Sequence, residues 1–77
     1  MKIDPDSPEH PYMQLAAIIR TQIADREIGP RVPSITQLSE QYELSQATVK
    51  RALRVLADEG LIYAVRGRGT FVRDRAL

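Results

Sequence analysis

The sequence has no cysteine and a single histidine, His10. The first absence excludes disulfides and the usual cysteine-rich zinc sites. The second leaves no Ser/His/acid or Cys/His set for nucleophilic catalysis. His10 itself sits in a proline-rich lead-in, where a lone histidine is more often a solvated side chain than a ligand. Long apolar runs are missing too, and none approaches the ~20 residues that a membrane-spanning helix needs. The acidic opening MKIDPDSPEHP lacks the charged-then-apolar order of a secretory signal. The expectation is a cytoplasmic protein with no membrane partner. Gly67-Arg68-Gly69 resembles a phosphate loop only superficially, because no helix and no Lys-Ser/Thr pair follow it. With its carboxylates expected on exposed faces, the chain reads as a non-enzyme that calls for no cofactor and no metal.

What is present is one domain's worth of chain, 77 residues, enough for one modest core. Its formal charge of +1 conceals a division. Met1 to Val49 carries four basic and seven acidic residues, a net of −3. Lys50 to Leu77 carries seven basic and three acidic residues, a net of +4. An excess of positive charge in the second half points to a polyanionic partner.

Pro5, Ser7, Pro8 and Pro11, with acids interspersed, predict a flexible arm over residues 1–10. Pro11 suits the first position of a helix, where its missing N–H costs nothing. Tyr12, Leu15, Ile19 and Ile23 then recur at helical spacing, predicting a helix over about 11–26 that Gly29-Pro30 brings to an end. Ser34 followed by Gln37 has the spacing of a capping box, and Ile35, Leu38 and Tyr42 line one face of a helix over about 35–42. Ser45 caps a third helix, about 45–59, with Val49, Ala52, Leu53 and Leu56 as its buried stripe and Gly60 past its end. Only Glu43-Leu44 and the cap separate the last two helices, which is the connection of a helix-turn-helix.

After Gly60 the period changes. Leu61 to Val65 and Thr70 to Val72 are rich in β-branched and aromatic residues and flank a Gly-Arg tip, as in a hairpin. The fold class is therefore mainly α with a small antiparallel β-hairpin: a winged helix-turn-helix spanning 11–73, with a short tail at 74–77. The expected core is Leu15, Ile19, Ile23, Leu38, Val49, Leu53, Leu56 and Ile62, closed at its margins by Tyr12, Tyr42 and Phe71.

The first turn of a recognition helix faces base edges, while its N–H groups and dipole favour phosphates. Here that turn is Ser45-Gln46-Ala47-Thr48, polar or small and free of acids that would repel DNA. Gln46 has the donor–acceptor pair that adenine matches, and Ala47 and Thr48 offer methyl groups to a thymine methyl. Lys50, Arg51 and Arg54 continue the polar face toward flanking phosphates, with Asp58 at a pairing distance along the helix from Arg54. Arg66 and Arg68, exposed by the glycines between and beside them, suit a minor groove or a phosphate backbone. A merely charged turn would keep a sheet edge soluble, but it would not need two arginines alternating with glycines. A winged helix used only for protein contacts would need neither this tip nor the acid-free turn beside it.

From Pro11 to Val72 the sequence resembles the winged-helix domain of GntR-type bacterial regulators. The resemblance is carried by Pro11-Tyr12-x-Gln14-Leu15-Ala16, Pro33-Ser34 with Leu38, Ser45-x-x-Thr48-Val49-Lys50-x-Ala52-Leu53, Glu59-Gly60-Leu61-Ile62 and Gly67-x-Gly69-Thr70-Phe71-Val72. It implies sequence-specific binding to double-stranded DNA for transcriptional control. The implied contacts are Ser45, Gln46, Ala47, Thr48 and Lys50 on the recognition helix and Arg66 and Gly67 on the wing. Ser34 and Thr36 join them as candidates at the start of the second helix, and Arg51, Arg54 and Arg68 as further cations. Thr36 stands where many members have a DNA-contacting arginine, and Gln46 where arginine is frequent. A homodimer on a palindromic site is compatible with this reading. Family members usually add an effector domain that also makes the dimer, and nothing after Arg73 in this sequence provides one.

Overall fold

A computed structural model describes residues 2–73; the expected tail at 74–77 lies outside them. Its elements, in order, are α1 (Pro11–Ala24), α2 (Ile35–Tyr42), α3 (Gln46–Asp58), β1 (Ile62–Val65) and β2 (Gly69–Val72). This is the winged helix-turn-helix that the sequence predicts.

Each helix begins and ends for local reasons. Pro11 opens α1 without a side-chain cap. Ser34 caps α2 in a complete capping box: its Oγ accepts from the Gln37 N–H at 3.1 Å, and the Ser34 N–H donates to the Gln37 Oε1 at 2.9 Å. Ser45 caps α3, accepting from the Thr48 N–H at 3.1 Å. At the far ends the chain turns through the left-handed region at Arg26 (φ 58°), Glu43 (φ 54°) and Gly60 (φ 79°). After α3 the Gly60 N–H reaches the Ala57 carbonyl and the Leu61 N–H reaches that of Leu56, each at 3.0 Å. This closes a Schellman turn in which glycine avoids the Cβ clash. The same turn ends α1 two residues before the expected boundary at 26. There the Arg26 N–H bonds the Ile23 carbonyl and the Glu27 N–H that of Gln22, so Arg26 takes the conformation that glycine takes after α3.

α1 packs chiefly on α3, and α2 closes the third side. Leu15, Ile19, Leu38, Val49 and Leu56 are fully enclosed between them, with Leu53, Leu61 and Ile62 nearly so. Ile23 is only half-buried, and Ala16, Val32 and Ala52 complete the cluster. Tyr12 and Tyr42 pack at its edge as expected. Phe71 does not: it pairs across the hairpin with Tyr63, ring centroids 6.0 Å apart, on the sheet face turned away from α3.

The hairpin is antiparallel, with Ile62 opposite Val72 and Val65 opposite Gly69. A third segment joins its edge. Arg31 bridges to Phe71, the Val32 N–H donates to the Thr70 carbonyl at 2.8 Å, and the Val72 N–H donates to that of Pro30 at 2.8 Å. These bonds fix the wing to the loop that leads into α2.

Composition predicts a flexible arm over residues 1–10, but residues 3–9 are tied to α1. Gln14, 9% exposed, accepts from the Asp4 N–H at 2.7 Å and donates to the carbonyls of Asp4 at 2.9 Å and Glu9 at 2.8 Å. Ile3 packs against the core cluster. One buried amide on α1 thus supplies partners for backbone groups that composition alone would leave to water.

Candidate nucleic-acid interface

The tight turn after α2 depends on Ser39 and Leu44. The Leu44 N–H bonds the Ser39 carbonyl at 3.0 Å, and the Ser39 hydroxyl donates to the Leu44 carbonyl. With Glu43 left-handed between them, α3 starts two residues later with its first turn beside that of α2. The Gln46 side-chain amide lies 3.4 Å from the Thr36 Oγ1, a long contact that joins the two first turns. Ser34, Thr36, Ser45, Gln46 and Ala47 are exposed and Thr48 is half-exposed. The structure therefore brings all six of these sequence candidates to one end of the helix pair. The Ser45 Oγ lies 2.8 Å from the Thr48 Oγ1, so these two hydroxyls are mutually engaged and the long side chain with spare hydrogen-bonding capacity is that of Gln46.

Lys50 and Arg54 follow Gln46 at successive four-residue steps along one face of α3. Across from them lie Ala64 and Thr70 of the hairpin, with a groove of about 230 Å³ between. Arg66, Gly67 and Arg68 are exposed at the wing tip, where Gly67 has φ 78° and the Arg68 N–H closes the turn on the Val65 carbonyl at 2.9 Å. The cations Lys50 and Arg54 of α3 thus face the hairpin across one groove, and the basic tip lies at the far end of that hairpin.

Arg51 does not join them. Its guanidinium stands 4.1 Å from the centroid of the Tyr12 ring, holding it over α1 by cation–π attraction. Nor does Asp58 pair with Arg54 as the spacing suggests. Among the described residues the ion pair joins Arg20 to Glu59, bidentate at 2.7 and 2.9 Å, and ties α1 to the end of α3. Hydrogen bonding and attraction from Arg20 hold the Glu59 carboxyl below its ordinary range. Sequence reasoning misses Arg31, which follows the first helix in a loop and carries no periodic signal; only its pairing with the distant Phe71 brings it to the wing.

Three helices with a helix-turn-helix corner, followed by a hairpin that flanks the last helix, define a winged helix-turn-helix DNA-binding domain. Residues 11–72 match the sequence model of "Bacterial regulatory proteins, gntR family", and the chain belongs to that family. The HTH-type transcriptional repressor NagR of Bacillus subtilis (strain 168) is 42% identical over 74 residues, covering 94% of this chain and 30% of NagR. YtrA from Sulfolobus acidocaldarius, a GntR-family transcription factor, superposes with a TM-score of 0.87 at 35% identity, covering 97% of this chain and 81% of that one. The AraR DNA-binding domain in complex with operator ORE1 superposes with a TM-score of 0.77 at 34% identity, covering 80% and 78%. The chain spans under a third of the length of the curated relatives it matches, 30% in the case of NagR. The family comprises transcription regulators rather than enzymes. No helix among the described residues is long and apolar enough to cross a membrane.

Proposed function

We propose that this chain reads duplex DNA with the first turn of α3 in the major groove, for transcriptional control. The observation that carries the reading is the shared exposure of Gln46 and Thr36 beside a cationic row and a basic tip, with no acid in the first turn of either helix. Gln46 reads a base edge; Ala47 and Thr48 supply apolar contact to a neighbouring thymine methyl. Ser34, Ser45 and Thr36 position the backbone nearby. Lys50 and Arg54 take phosphates between the major groove and the wing, and Arg66 and Arg68 enter the minor groove or grip its backbone, with the exposed Gly67 admitting close approach. Arg51, set over Tyr12, serves at most the outer phosphates on the α1 side.

NagR is named a repressor and AraR is crystallised on an operator. The same role suits this chain: occupancy of an operator by two copies related by a two-fold axis, each reading one half-site. Selection of bound sequences from random duplexes tests it. The expected result is an enriched motif with two-fold symmetry and two copies of the chain per duplex. Failure to enrich any motif refutes sequence reading, and one copy per asymmetric motif refutes the paired mode.

A further inference from the structure

Arg31 belongs to none of the groups assigned to DNA so far, yet its setting is specific. Because it bridges to Phe71, its side chain leaves the sheet on the face of Phe71, opposite to that of Thr70. From there the guanidinium lies over Gly69. A Cβ at Gly69 would come within 3.0 Å of Nη2 and 3.1 Å of Nε, so the glycine leaves open the place that the cation occupies. Gly69 also has φ 113°, which side-chain-bearing residues rarely adopt. The seat puts the charge at the base of the tip that carries Arg66 and Arg68. Among the described residues no carboxylate lies within ion-pair distance of Arg31; the ion pair found is elsewhere.

Beside this seat opens a cleft of about 750 Å³ between the wing and the first turn of α2. Its walls include Arg31, Ser34, Gln37, Gln41, Gly69 and Thr70, and among the described residues Arg31 is the one charged residue that lines it. Ser34 stands on one bank and the wing on the other. A polyanion that touches both crosses the mouth of the cleft, past a guanidinium with no competing acid there among the described residues. We propose that Arg31, seated on Gly69, takes a phosphate of the bound duplex between the wing and α2. The contact is to the backbone and carries no base preference. It rests on the proposed reading of duplex DNA by α3.

The test is a salt series, 50 to 200 mM, on a fluorescein-labelled duplex carrying the selected motif and on a scrambled duplex. Each lost phosphate contact lowers the slope of log K against log salt by about 0.9. Arg31→Ala therefore binds both duplexes more weakly, and its deficit shrinks about 3.5-fold across that fourfold range. Arg31→Lys keeps a slope near that of the wild type. An unchanged affinity and slope in Arg31→Ala overturns the proposal. So does a lowered melting temperature in both variants with the wild-type slope retained, which would make Arg31 a packing residue of the wing. A wild type that binds neither duplex refutes the DNA reading itself, and this proposal falls with it.

Discussion

Replacing Gln14 by methionine keeps the length and most of the volume of the side chain but removes every hydrogen bond that ties residues 4–9 to α1. Three bonds are lost: two to Asp4, at 2.7 and 2.9 Å, and one to the Glu9 carbonyl at 2.8 Å. A net value of about 1 kcal/mol for each bond gives an upper bound near 3 kcal/mol. Asp4 and Glu9 are themselves exposed, so their freed backbone groups recover water, which lowers the expected loss to roughly 1–2 kcal/mol. Release of the segment also frees Ile3 from the core cluster. In a domain of this size the change corresponds to a fall of roughly 5–15 °C in melting temperature. Circular dichroism melts give that number, and amide hydrogen exchange at Asp4 reports whether the segment has come loose. A melt within about 1 °C of wild type, with the Asp4 amide equally protected, is the contrary result. The segment would then be held by something other than Gln14.

The core and the ion pair give further tests. Leu53, 8% exposed in the stripe that α3 turns inward, should lose about 2–5 kcal/mol of stability on substitution by alanine, measured by urea unfolding. Glu59→Gln removes a carboxylate whose folded-state pKa Arg20 depresses. A depressed pKa stabilises the fold above the ordinary glutamate range and ceases to do so as pH falls through the folded-state value. The melting temperatures of wild type and Glu59→Gln should therefore differ slightly at pH 7 and converge in acid below pH 4.5. A gap that persists in acid would assign the stabilisation to something other than the ion pair.

Features set by near neighbours along the chain are legible in the sequence alone. The Ser34/Gln37 box, the Ser45 cap and the Gly60 stop are each decided within one helical turn, and each forms where the sequence predicts it. The end of α1 falls short of its expected place because its stop is a left-handed Arg26, and arginine carries no such signal; a left-handed Glu43 likewise follows α2, which nonetheless ends at the expected Tyr42. The docked segment looks like a free arm because proline and acid content describes a chain in water, whereas the Gln14 amide that captures it lies several residues on. In the candidate interface, helical periodicity correctly brings Gln46, Lys50 and Arg54 to one face. It does not show that Arg51 turns to Tyr12, nor that Arg31 reaches the wing, because both depend on packing between distant segments.

In the proposed mode of binding, Gln46 reads a base while its surroundings hold the backbone. Its long contact to Thr36, 3.4 Å, is readily exchanged for a base edge. The decisive measurement is the affinity of Gln46→Ala relative to wild type on two duplexes of equal length, one with the selected motif and one scrambled. The variant should lose about 1–3 kcal/mol on the selected duplex. On the scrambled duplex it should bind like wild type, because Lys50, Arg54 and the wing remain. Equal losses on both would mean that Gln46 does not read sequence and that any reading is done elsewhere on the domain.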